Sequence, residues 1–428
     1  MKLNDRLDFS FITKKTWTRD KFFNIFCYIM LAGICIFVSS LFVLGFNRWV
    51  YLFHILINPY DSFMDFFNPI YWAQFKDVYT IWNASNYLPF SYLIFRFFSF
   101  LIPSDILVIA PVIIRRSIYG AISLLFFLGF SLIPLLVVIF KNKMGSVKEK
   151  IIFSLFMIFS TPFIGSLERG NIIFIALFFM VFFAFYYDSD KWYLRQLSLL
   201  FLAASIAIKI YPAAMGMLLL REKRYKDILL LGVYVLCLTI FPFFLYNGLS
   251  DIKLFLNNSL AFSQKSQTLG YGYSENITTT IKMIYYAITK HESILLNTLA
   301  QYISYLALLL GIVAAYFIKK KWKTVAITCL LMVLIPSISW TYTLLFMIPS
   351  LIMFLNDNEE KSFKDLIYLI LFCFLFILNI PAKAPIFMPP RYPVLIDNFC
   401  ARLACLIMFI MLLVDGIKDL MHNKKSIN

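Results

Sequence analysis

Along the chain, long apolar blocks alternate with short polar ones. Stretches with little or no charge occupy 22–46, 117–140, 151–167, 170–187, 194–220, 228–246, 298–318, 324–356, 366–382 and 400–414. A helix of about 20 apolar residues crosses a bilayer, so these blocks predict membrane helices. Two of them need dividing. As one helix, 324–356 would reach about 50 Å at about 1.5 Å per residue, against a hydrocarbon core of about 30 Å. Pro336 and the serines at 337 and 339 supply the break. The block 194–220 carries Lys209 and Pro212 in its middle. Lys191 and Arg195 precede it, and Arg221, Lys223, Arg224 and Lys226 follow. Basic flanks on both sides put both ends in the same compartment, so two short helices are expected to meet at Lys209. The prediction is an all-α polytopic membrane protein of about twelve membrane segments, several of them short or re-entrant.

The basic connections orient this bundle. With the N-terminus inside, segments 1–21, 141–150, 188–195, 221–227, 319–323, 356–364 and 415–428 are all cytoplasmic. They hold 25 of the 39 Lys and Arg, and both termini fall on the cytoplasmic side. External segments follow at 47–116, 247–297 and 383–399, within a single integral membrane domain, 1–428. The first of these is aromatic from Tyr87 to Phe100 and interrupted by Pro89 and Pro103, which suits helices lying at the membrane surface. Block 22–46 is longer than a signal-peptide core and lacks a small-x-small cleavage site, so it reads as a retained first span.

Composition agrees and narrows the class. The chain has 428 residues, 61% apolar and 14% charged, whereas soluble domains average roughly 45–50% and 25%. A soluble protein is excluded. The net charge of +16 is mostly the positive-inside excess, and a nucleic-acid partner is not implied. Seven cysteines lie mostly within apolar blocks without a C-x-x-C pair, and three histidines stand far apart. Neither a disulfide framework nor a metal centre is indicated, and no cofactor is expected.

Charged and polar residues at membrane depth are costly, by roughly 2.5–3.5 kcal/mol each for the charged ones. Five groups demand a reason: Asp61 and Asp65; Glu168, Arg169 and Asn171; Lys209, with Tyr211 beside it; Asn258 and Ser259; and Ser337, Ser339 and Trp340. Each has a plain explanation: a solvated loop acid, a helix cap with an ion pair, a snorkelling lysine, a second cap, a turn with an interfacial tryptophan. The threading, however, was fixed by basic loops alone, and it sends all five to one external face. A carboxylate, cations, amides and hydroxyls gathered at one membrane surface suit a lipid-borne phosphate and a polar acceptor.

In this order the groups resemble a family. Asp65 to Tyr71, Tyr87 with Pro89, Gly170-Asn171, Ile208-Lys209 with Pro212, Asn258-Ser259, and Pro336 to Trp340 resemble polyprenol-phosphate-sugar-dependent glycosyltransferases of the GT-C type. The similarity is specifically to glycosyltransferase family 87, a mannosyltransferase-like group, and runs over about 65–340. It implies a GT-C-like bundle in the plasma or bacterial inner membrane. A hexose would pass from a polyprenyl-phosphate-sugar donor to a glycan or glycolipid acceptor on the external, periplasmic face, with inversion. The acceptor hydroxyl needs a carboxylate to take its proton, and the departing phosphate needs fixed cations. On this reading Asp65 is the general base, with Asp61 as fallback. Lys209, Arg169 and Arg391 hold the donor phosphate, and Glu168, Asn171, Tyr211, Asn258, Ser339 and Trp340 hold substrate. Glu168 is expected to orient Arg169 or bind a sugar hydroxyl. The rival readings are a surface-polysaccharide polymerase and a lipid-linked-glycan flippase. Loop 247–297 contains no Arg, which disfavours the first; charges gathered on one face disfavour the second.

Overall fold

A computed structural model describes residues 16–46, 61–81, 87–266, 274–291, 293–378 and 396–425. Among the described residues regular structure is helical, apart from one antiparallel bridge between Trp17 and Lys361. In chain order the longer helices are α1 (Arg19–Leu44), α2 (Met64–Trp72), α3 (Pro89–Ser99), α4 (Ile118–Asn142), α5 (Val147–Ile158), α6 (Thr161–Arg169), α7 (Ile173–Tyr186) and α8 (Trp192–Ile208). They continue as α9 (Tyr225–Ile240), α10 (Leu249–Ser266), α11 (Ile277–Thr289), α12 (Ile294–Phe317), α13 (Lys321–Leu334), α14 (Ile348–Asn356), α15 (Phe363–Phe376) and α16 (Ile396–Lys425).

Five stretches among the described residues are long and apolar enough to cross a membrane: Arg19–Leu44, Ile118–Asn142, Tyr225–Leu245, Leu295–Phe317 and Asn398–Met421. The pair α5 and α6 makes a sixth if taken as one span, bent by 60°. The chain is a polytopic helical membrane protein. The block 151–167, expected as one continuous segment, is where the pattern misleads: α5 stops at Ile158 and α6 restarts at Thr161. Pro162 is the cause, because its ring would clash with the carbonyl four residues back, that of Ile158. Other expected segments are shorter apolar helices, namely α7, α8 and Thr341–Asn356.

The two expected breaks are present. Helix α8 ends at Ile208, Lys209 is extended, and a 3-10 turn (Tyr211–Gly216) follows with Pro212 in its first positions. Helix α13 ends at Leu334, and the chain resumes as a 3-10 turn (Thr341–Met347) leading into α14.

Helices apolar all round belong inside a bundle. Accordingly α7, α13 and α14 expose no residue fully, and every residue from Thr324 to Leu334 is inside. Helices α1, α4, α9 and α12 carry exposed apolar side chains such as Phe42, Leu125, Leu229 and Leu309, a surface suited to lipid. A second, smaller core lies apart from the main one and is largely aromatic: Phe66, Tyr79, Tyr92, Phe95, Phe98 and Phe127 are all fully buried there. Most of its rings meet edge-on or tilted, as between Phe66 and Phe127 at 4.7 Å and Phe98 and Phe127 at 5.2 Å. Such pairs add about 0.5–1.5 kcal/mol each beyond the area they bury. This cluster is the floor on which the polar groups stand.

Candidate functional site

Several polar groups at the site are chain neighbours of buried members of that floor. Asp65 precedes Phe66, Asn171 precedes Ile172, Lys209 follows Ile208, and Tyr87 is itself a member. Burying the apolar neighbour fixes where the polar one can point.

Helices α2 and α6 meet end to end at the centre. Asp65 lies in the first turn of α2 and Arg169 in the last turn of α6, each of the sign its helix dipole favours. Arg169 Nη2 donates to Asp65 Oδ1 at 2.6 Å, and Nη1 pairs with Asp61 Oδ2. Asn171 Nδ2 donates to the other Asp65 oxygen, Oδ2, at 2.7 Å, while its Oδ1 accepts from the Ile173 N–H at 2.9 Å. Both ends of the Asn171 amide are therefore committed, and the Asp65 carboxylate is held on both oxygens. Asp61 is the more open acid, its side chain 46% exposed against 21% for Asp65.

Two left-handed residues make this junction possible. Gly170 (φ +62°) ends α6 and Phe63 (φ +63°) begins α2. The Phe63 N–H donates to the Glu168 carbonyl at 2.7 Å, and a Cβ on Gly170 would sit 3.0 Å from Phe66 Cβ. A left-handed Phe is a costly conformation, found where surroundings enforce it, and such sites cluster where geometry matters.

Lys209 enters from the end of α8. Its ammonium stands 4.9 Å from the ring centre of Tyr87 and 5.8 Å from that of Tyr342. The Asp65 charge acts on Lys209, and both Asp65 and Arg169 act on Tyr87 and Tyr342, so these groups share one electrostatic neighbourhood. Among the described residues no carboxylate ion-pairs with Lys209, whereas Arg169 carries two.

The remaining expected residues divide. The Glu168 carboxylate accepts from Ser62 Oγ at 2.7 Å, and the Ser62 carbonyl accepts from Arg115 at 3.2 Å. Asp61 and Asp65 both orient Arg169. Tyr211 reaches the Ile338 carbonyl at 3.5 Å, linking the two broken-helix turns. Asn258 donates to the Tyr79 carbonyl at 2.9 Å and Tyr79 to that of Tyr87 at 3.2 Å, a chain that supports Tyr87. Ser339 is buried, its hydroxyl shared with Thr343 at 2.7 Å, and Trp340 heads the 3-10 turn beside it. Arg391 and the rest of 383–395 lie outside the described residues. Ser62, Tyr342 and Glu275 are not among the site residues expected from the sequence. Serine and tyrosine in this chain are too common to stand out, and Glu275 sits in a polar loop where an acid draws no notice.

Fold and site define a polytopic membrane protein that gathers two carboxylates, a guanidinium and a lysine over an aromatic floor. Residues 86–337, more than half of the chain, match glycosyltransferase family 87, and the chain belongs to that family. It is a membrane glycosyltransferase. The matched region contains Arg169, Asn171 and Lys209, and it begins after Asp61 and Asp65. No curated protein and no solved structure matches the chain.

Proposed function

We propose that this glycosyltransferase moves one hexose from a polyprenyl-phosphate-sugar donor to a hydroxyl of a glycan or glycolipid, with inversion, at the external face of a bacterial inner membrane. The observation that carries the reading is the pairing of a doubly held carboxylate, Asp65, with a lysine that has aromatic partners and, among the described residues, no ion-paired carboxylate. The charge threading supports the sidedness. It gives about twelve segments with cytoplasmic termini, external segments 47–116, 247–297 and 383–399, and the site on the external side.

In this mechanism Arg169 and Asn171 hold the Asp65 carboxylate still, each using one lone pair of its two oxygens and leaving the others to accept. The acceptor hydroxyl gives its proton to Asp65 as its oxygen bonds to the anomeric carbon. The bond from that carbon to the phosphate oxygen breaks, and its electron pair leaves with the phosphate. Lys209 meets the charge that grows there, where a fixed cation in a poorly hydrated place is most effective. Arg169 is a second phosphate partner only if the donor displaces Asp61, the more exposed of its two carboxylates. Arg391 fills the same role in the third external segment. Glu168, Tyr211, Asn258, Ser339 and Trp340 shape the surroundings of the sugar. The scheme uses no metal or cofactor, because the protein's own cations face the phosphate.

The test is reconstitution in liposomes with a panel of polyprenyl-phosphate hexoses and glycan acceptors, read by mass spectrometry. Addition of one sugar supports the reading. A polymer, or no transfer from any donor in the panel, contradicts it.

A further inference from the structure

A fully buried ion pair lies beside the site rather than in it. Arg402 projects from α16, within the apolar stretch Asn398–Met421, and its Nε donates to Glu275 Oε2 at 3.2 Å. Glu275 Oε1 accepts from Thr341 Oγ1 at 3.1 Å, and the Glu275 N–H donates to the Ser339 carbonyl at 2.6 Å. Its neighbours grip the same turn. Ser274 Oγ accepts from the Ser339 N–H at 2.9 Å, and Asn276 Nδ2 donates to the carbonyls of Pro336 and Ser337 at 2.9 and 2.7 Å.

The turn from Pro336 to Trp340 needs this help. It lies between the end of α13 and the start of a 3-10 turn, so its carbonyls lack the partners a helix would supply. Three consecutive residues of the second external segment provide them. Desolvating two charges is costly and a buried pair is weak evidence for stability, which points to a positional role for it. Thr341 is followed by Tyr342, one of the two rings over which Lys209 stands. Tyr87, the other ring, is anchored independently through the aromatic floor.

We propose that Glu275 is a positioning residue: through Thr341 it fixes Tyr342, and so the Lys209 ammonium, with Arg402 as the charge that keeps it in place. Its consequence for donor binding rests on the phosphate role given to Lys209 above. Two variants separate position from stability. Thr341→Val removes only the hydroxyl that reaches Glu275. The double variant Glu275→Met/Arg402→Met removes both charges together, leaving neither buried and unpaired. The readout is the rate of reductive methylation at Lys209 in the full-length protein, by peptide mass spectrometry, with exposed Lys76 as reference. Loss of one cation–π partner is expected to raise labelling at Lys209 about fivefold in both variants, with Lys76 unchanged. The melting temperature of Thr341→Val should fall by no more than about 4 °C. Unchanged labelling at Lys209 in Thr341→Val overturns the proposal, even if the double variant fails to fold. Polyprenyl phosphate binding in nanodiscs is a separate arm: a wild-type protein that does not bind it sinks the phosphate reading, while the labelling still decides the positional one.

Discussion

Gly170 is the sharpest place to perturb the junction of α6 and α2 without touching a charge. Its φ of +62° disfavours any residue with a Cβ, at a cost of about 1–2 kcal/mol for alanine. The added methyl would lie 3.0 Å from Phe66 Cβ and 3.4 Å from Phe63 Cα, atoms at or beside the backbone that no rotamer change can move aside. Relieving such overpacking costs about 1–3 kcal/mol. Gly170→Ala should therefore lose about 2–5 kcal/mol of stability, and α2 must shift to relieve the contact. Asp65 sits one residue from Phe66, so the shift is transmitted to the carboxylate. A displacement near 1 Å costs about 100-fold in rate when reacting groups must be aligned. Gly165→Ala is the control, since nothing lies within 4 Å of the methyl it would add and alanine favours a helix. The assays are thermal melting in detergent and kcat/KM for transfer in liposomes. If Gly170→Ala matches Gly165→Ala in both, the claim that this left-handed contact sets the place of Asp65 is wrong.

Three other outcomes are expected. Asp61→Asn should keep transfer within about tenfold of wild type, since Asp65 retains Arg169 and Asn171, whereas loss of a general base costs about 10²–10⁴-fold; a larger loss than in Asp65→Asn would exchange the two roles. Lys209→Met should raise the donor KM or lower donor kcat/KM by about 10–100-fold, the worth of a charged hydrogen bond, and leave the acceptor KM alone; faster donor use in this variant would remove the phosphate role. Asp357, in the connection between α14 and α15, feels burial that pushes its carboxyl up, but the hydrogen bond from Lys361 at 3.0 Å and the Glu359 N–H outweigh it and hold it below the usual carboxylate range. A lowered acid stabilises above its unfolded value of about 4 and loses that contribution as pH falls through the lowered one. The melting advantage of wild type over Asp357→Asn should thus shrink as the pH is taken from about 6 to about 3; a constant gap would count against the pairing.

Much of the architecture was legible because lipid leaves a strong pattern. The breaks at Lys209 and at Pro336 follow from a charge or a proline inside an overlong apolar block, and both appear in the fold. The bend at Ser160 was missed because Pro162 stands in an unbroken apolar run whose length suits a single span. The polar groups were legible as anomalies, yet their pairing was not. Arg169 joins Asp61 and Asp65 across more than 100 residues, and no local spacing foretells that. Arg402 passed unnoticed for a related reason: one arginine in an apolar block leaves its hydropathy high, and its partner Glu275 is 127 residues away.

The central claim is that Asp65 takes the acceptor proton while a polyprenyl-phosphate sugar is the donor. The direct measurement is the single-turnover rate of sugar transfer by reconstituted Asp65→Ala beside wild type, with melting curves to show both folded. The account predicts a rate lower by about 10²–10⁴-fold at near wild-type donor binding. A folded Asp65→Ala that transfers sugar as fast as wild type would contradict it.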